Sequence, residues 1–141
     1  NFSFCYSIEP SIKYFNLSSK NLVSIKDKVE LINDTSENSL ENIINKIKNK
    51  DVTFFLDGHY SGKDTFLGKK GTPIVYELEL ITKYIKQFTN IVVIIDDFRC
   101  FELEDYPNKK KLIDFALNNS LFFTIEHDMF IASSVIPFKK S

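Results

Sequence analysis

The chain reads as an α/β domain: a mostly parallel sheet with helices on both faces and an antiparallel hairpin near its C-terminal end. Three observations predict this. Strand-like and helix-like segments alternate along nearly the whole length, in the order β-α-β-α-β-α-β-α-β-β. Two of the strand segments, Val52 to Leu56 and Ile91 to Ile95, are unbroken apolar runs, the pattern of strands buried on both faces of a parallel sheet. Acidic residues follow four successive strand segments, on the edge where open α/β sheets bind ligands.

The elements follow from local chemistry. Phe2 to Ile8 is aromatic and apolar and predicts a strand, which Pro10 ends. Ser11 to Asn21 predicts a helix, with Ile12, Phe15 and Leu22 as candidate buried positions. Val29 to Ile32 is a short strand, and Asn33-Asp34-Thr35-Ser36 is a turn and helix-capping cluster. Leu40, Ile43, Ile44 and Ile47 recur at helical spacing and predict a helix from Glu37 to Asn49. After the Val52 strand, a polar stretch from Asp57 to Thr72 holds all four glycines. Thr72-Pro73 then opens a helix, with Thr72 as cap and Pro73 at the first helical position. Ile74, Leu78, Ile81 and Ile85 form its apolar stripe. The Ile91 strand ends at Asp96-Asp97, and a mixed segment leads to a helix from Lys109 to Asn119. Leu121 to Glu126 and Met129 to Val135 predict two strands turning tightly at His127-Asp128.

With 141 residues, 43% of them hydrophobic and 14 of them Phe, the chain is a single domain, residues 1–141, with enough apolar surface to bury a core. The net charge of -1 gives no electrostatic footprint for nucleic acid. Its two cysteines, Cys5 and Cys100, stand apart with no CxxC spacing, which argues against a disulfide framework or zinc site and suits a reducing, cytoplasmic setting. No apolar run approaches the roughly 20 residues needed to span a bilayer. The expected partner is therefore a small-molecule substrate, with no nucleic acid and no membrane; self-association is left open.

The sharpest constellation is Asp57 with Asp96 and Asp97. Neighbouring buried strands would bring their ends within one strand spacing, roughly 5 Å. Carboxylates that close repel one another unless a cation intervenes, and a small set of hard oxygen ligands suits Mg²⁺. The alternative is that Asp97 caps the next segment and Asp57 hydrogen-bonds the glycine-containing stretch. His59 has the pKa range of a general base, or is an ordinary polar loop residue. Tyr60 either lines a pocket or packs on the helix. His127 is read as a turn residue. The stretch from Ser61 to Gly71, rich in Gly and Lys, is read as a lid.

These residues carry a resemblance. Cys5-Tyr6-Ser7-Ile8-Glu9-Pro10 resembles the second strand of class I S-adenosylmethionine-dependent methyltransferases, whose terminal acid holds the ribose hydroxyls. Val29 to Ser36 resembles their third strand, whose acid lies near the adenine. The run from Phe54 to Gly62, followed by Ile94-Ile95-Asp96-Asp97, is similar to the macrocin O-methyltransferase-like group, which includes sugar O-methyltransferases. More distantly it resembles catechol O-methyltransferase, where acids at these two strand ends hold Mg²⁺.

The resemblance covers nearly the whole chain. It implies a Rossmann-like three-layer sandwich that uses S-adenosylmethionine and Mg²⁺ to methylate a small hydroxylated acceptor such as a sugar. Glu9 would hold the ribose, and Asp34, Thr35 and Ser36 the adenine side. Asp57, Asp96 and Asp97 would hold the metal, and His59 or Asp57 would take the proton. One departure stands out. The family begins with a central strand and a glycine-rich turn, and here no glycine precedes Glu9. The chain also opens at Asn1, already close to a strand-like segment, so the expectation is a truncated domain with a gap between the Phe2 strand and the Val52 strand. The alternative is that the Phe2 strand slides across to pair with the Val52 strand. Two other functions stay open: a catalytically silent α/β binding module, and a Mg²⁺-dependent phosphotransfer enzyme, which lacks a GxxxxGK[ST] loop.

Overall fold

The computed structural model describes residues 2–57, 72–103 and 106–136. The elements are β1 (Cys5–Ile8), α1 (Ile12–Asn21), β2 (Val29–Ile32), α2 (Ser36–Lys46), β3 (Asp51–Leu56), α3 (Ile74–Tyr84), β4 (Asn90–Ile95), α4 (Lys109–Asn118), β5 (Phe122–Glu126) and β6 (Met129–Ser133). This is the alternation the residue pattern predicts. β1 is shorter at its start than expected, and α2 ends earlier, at Lys46. The segment Val23–Lys28, between α1 and β2, forms 3-10 turns. The expected cap at Thr72 and helical start at Pro73 are corrected by one residue: Pro73 is the cap residue of α3 and the helix starts at Ile74, whose N–H donates to Thr72 Oγ1 at 3.3 Å.

β1 and β2 pair in parallel, with Cys5 opposite Val29 and Ile8 opposite Ile32. β3 and β4 pair in parallel, with Asp51 opposite Asn90 and Leu56 opposite Ile95. β6 is antiparallel to both β4 and β5. The order is β1-β2 in one sheet and β3-β4-β6-β5 in the other. The hairpin therefore folds back: its second strand sits next to β4, and its first strand forms the edge. His127 and Asp128 make the expected two-residue turn, with φ of 51° and 64°. Positive φ at both positions gives the turn the right-handed twist that two strands need.

β1 and β3 are not hydrogen-bonded to each other. The Phe2 strand has not slid onto the Val52 strand.

The core belongs to one face of the four-stranded sheet. Phe54, Leu56, Ile91, Val93, Ile95, Phe130 and Ala132 are buried there against Leu40 and Ile44 of α2, Leu78 and Ile81 of α3, and Leu112 and Ala116 of α4. Burial on both faces of β3, expected from its unbroken apolar run, is corrected by the structure. β3 alternates, with Phe54 and Leu56 buried and Phe55 57% exposed. Among the described residues no helix covers that second face of β3. Ile12, expected inside, is 60% exposed, and α1 contributes no buried residue.

Candidate functional site

β1 and β2 end together as one parallel pair and β3 and β4 as another, and each strand end carries the predicted acid. Glu9 follows β1. Its Oε1 accepts the Ser11 N–H at 2.7 Å, so the carboxylate closes its own turn. The Asn33 side chain reaches across from the end of β2 and donates to the Glu9 carbonyl at 2.8 Å and the Pro10 carbonyl at 3.3 Å. Asn33 was read only as a turn residue. The structure makes it the tie between the two strand ends.

Asp34 follows β2. Its Oδ1 accepts from the Asn38 side chain and from the Thr35 N–H, each at 2.8 Å. These donors, Asn38 first, hold its carboxyl below the ordinary carboxylate range. Thr35 is the cap residue of α2, and Ser36 is the first residue of the helix. Glu9 on one side and Asp34, Thr35 and Ser36 on the other are thus linked through Asn33, which bridges the two strand ends.

Asp57 and Asp96 end β3 and β4, which are joined there by a hydrogen bond from the Asp96 N–H to the Leu56 carbonyl at 3.1 Å. They line a shallow crevice, with room for about one water molecule, together with Thr72, Phe101 and Tyr106. Asp97 is not among the residues that line it. It takes a left-handed conformation at φ 55°, which Asp tolerates better than most residues. Its carboxylate meets Arg99 at 2.6 Å, and Arg99 also pairs with Asp128 of the hairpin turn. Among the described residues no three His, Cys, Asp or Glu side chains are grouped to hold a metal ion. Asp57, Asp96 and Asp97 therefore share a neighbourhood without forming the three-ligand set expected of them. The Asp96 carboxylate accepts the Asp97 N–H at 2.8 Å, so it is engaged by its own neighbour in the chain. His59, Tyr60 and the Ser61–Gly71 stretch lie outside the described residues.

Two residues at this edge escaped the sequence reading. Tyr106 lines the crevice. Burial, with the charges of Cys100, Asp97 and Asp57 nearby, pushes its phenol up to about 12, so it stays protonated and is suited to donate. Nothing in the segment around Tyr106 marks it in sequence, because the loop that carries it has no period. Glu77 is 5% exposed on α3, where burial first and the Glu37 charge next, opposed by the Ser36 hydroxyl, push its carboxyl up to about 7. Its signal was legible: Glu77 lies three residues after Ile74 and four before Ile81, inside the apolar stripe.

Comparison with known proteins places the fold. No protein-family model and no curated protein sequence matches the chain. Among solved structures, a Clostridium thermocellum protein named as a supposed rRNA-methylase matches with a TM-score of 0.58 at 17% identity, over 91% of this chain and 72% of that one. The likeness is one of architecture: this chain has the Rossmann-like α/β fold on which that protein is built.

Proposed function

We propose that the chain is an S-adenosylmethionine-dependent methyltransferase acting on a small hydroxylated acceptor such as a sugar. The observation that carries this reading is the acid at each of four strand ends, in two parallel pairs, in a chain whose fold is shared with a methylase-named structure. Glu9 supplies a carboxylate suited to a ribose diol, and the Asp34–Ser36 turn lies beside it for the adenine. The described residues thus fit the adenosine half of the cofactor. When bound, the cofactor supplies an electrophilic methyl on a sulfonium, which an oxygen nucleophile attacks in line.

The acceptor hydroxyl lies in the crevice at Asp57 and Asp96. Asp57 takes its proton as the oxygen attacks, and Tyr106 donates a hydrogen bond that orients the acceptor. His59 is the other candidate base. Held in the crevice, the hydroxyl gains rate chiefly through proximity. The placed carboxylates do not converge as a Mg²⁺ set, so no step here runs through a metal. The basic run Lys109-Lys110-Lys111 is matched by Glu102, Asp114 and Glu79. Its charges are balanced within the fold, which favours a small acceptor over RNA.

A second reading, a catalytically silent α/β module, draws on the local ties of Glu9 and Asp34 and on the gap between β1 and β3. Calorimetry separates the two. Glu9→Ala is expected to weaken S-adenosylmethionine binding by about 1–3 kcal/mol, the scale of lost charged hydrogen bonds. Unchanged affinity overturns the assignment of Glu9, and absence of binding by the unaltered full-length protein favours the silent module. Asp57→Asn is expected to abolish transfer with the fold retained. Full activity in excess EDTA supports the metal-free route, and loss of activity there returns Mg²⁺ to it.

A further inference from the structure

β5 is the outer strand of the four-stranded sheet, bonded to β6 on one side only. The direction of its other backbone groups follows from β6. The Ser134 N–H donates to the Ile91 carbonyl at 2.9 Å, so this residue faces β4. Backbone groups alternate sides along a strand, so Ala132 and Phe130 also face β4, while Ser133, Ile131 and Met129 face β5. Their partners Phe122, Thr124 and Glu126 are bonded inward. The N–H and C=O groups of Phe123 and Ile125 therefore point out from the sheet, and among the described residues nothing takes them up.

The side chains of the same two residues are also short of cover. Phe123 and Ile125 lie opposite Ala132 and Phe130, which are fully buried on the core face. Phe123 stacks on Phe130 with ring centroids 5.5 Å apart. Yet Phe123 is 38% exposed and Ile125 46%, so the apolar core face runs past its helix layer to the free edge. Edge strands are ordinarily blunted by Lys, Pro, a bulge or an inward charge. β5 pairs with β6 residue by residue, without a bulge, and its one charge is Glu126 at the end of the strand.

We infer that this edge is a self-association surface: β5 pairs antiparallel with β5 of a second copy across a two-fold axis at Thr124. In that register Phe123 lies opposite Ile125 of the second copy. Each pair exchanges its N–H and C=O groups, so no outward group of either strand stays unpaired. A two-fold axis perpendicular to the sheet joins core face to core face, and the apolar side chains of the two copies cover one another. Charge permits the same register. The two Glu126 carboxylates come to lie four residue steps apart, roughly 13 Å, beyond the ~8 Å screening length at physiological salt. Two five-residue strands bury less than the roughly 800 Å² per partner of a stable dimer, so the pairing is weak and depends on concentration.

The test uses the full-length protein. Sedimentation equilibrium is expected to show a monomer at about 10 µM and a mass rising towards that of a dimer at about 1 mM. Ile125→Lys is expected to weaken association about tenfold or more with thermal unfolding little changed, since a Lys at an edge opposes pairing. Thr124→Cys, combined with Cys5→Ser and Cys100→Ser, reads the register. Facing Thr124 residues would form a non-hydrogen-bonded pair with Cα atoms about 4.5 Å apart, within the span of a disulfide. Mild oxidation is expected to give a covalent dimer from Thr124→Cys and none from Glu126→Cys in the same background. A monomer across the whole concentration range overturns the inference. So does association that Ile125→Lys leaves unchanged, or cross-linking of Glu126→Cys as readily as of Thr124→Cys.

Discussion

The two ends of this chain are built from the same kinds of segment and held by different means. The β1–α1–β2 unit contains no buried residue: β1, α1 and β2 are exposed or half-buried throughout. From α2 onward, every helix and the β3, β4 and β6 strands contribute fully buried apolar side chains to one cluster. Apolar residues abound in both regions. What differs is cover. The second region has three helices layered on one sheet face, whereas the first has a two-stranded pair with one edge unfilled toward β3. Hydrophobic stabilisation scales with area removed from water, so the first region borrows its order from Ile8, which packs against the main cluster, and from Asn33.

The strongest way to break this comparison is a matched pair of truncations. Phe130→Ala, at a fully buried position of β6, is expected to cost about 3–5 kcal/mol in urea unfolding. Ile12→Ala in α1 is expected to stay within about 0.5 kcal/mol. Similar costs at the two positions would show that α1 has an apolar partner after all.

Glu77 lies within the second region, on α3. Its carboxyl is raised from 4.5 to about 7, so the folded state holds a proton that the unfolded chain releases. An acid with a raised folded pKa leaves the fold most stable below pH 4.5. Stability then falls as pH rises towards about 7, by up to about 3 kcal/mol. Glu77→Gln is expected to flatten that fall. Thermal unfolding should show a stabilised variant at pH 8 and little difference at pH 4. A variant no more stable at pH 8 would show that the carboxyl is solvated.

Smaller effects sharpen the comparison at its edges. Asn33→Ala is expected to cost about 1 kcal/mol, felt chiefly as faster amide exchange in β1 and β2 with β4 unchanged. Uniform acceleration would show that the two regions open as one. Arg99→Ala, which releases Asp97 and Asp128 in the second region, is expected to cost under about 1 kcal/mol, because Arg99 is largely exposed. A larger loss by the same unfolding measurement would show that the hairpin turn depends on this bridge.

The sequence by itself determined the alternation of elements, the acids at the strand ends and the tight turn at His127-Asp128. Each of these is written in a local period or a local backbone preference: 3.6-residue spacing for Leu40, Ile43, Ile44 and Ile47, an apolar run for Ile91 to Ile95, and Asp or Pro at element ends. Periodicity reports which side chains are apolar, but not what lies across from them. Tertiary structure alone decided that Phe55 and Ile12 face outward, because the layer that would cover them is not among the described residues. It also put Asp97 in a left-handed conformation that no pattern announces. And it brought Tyr76 to the Glu37 carbonyl and Tyr106 to the crevice that Asp57 lines, pairs separated by long stretches of chain. Contacts of that kind depend on how helices and loops pack, a property of the whole sheet rather than of any window of residues.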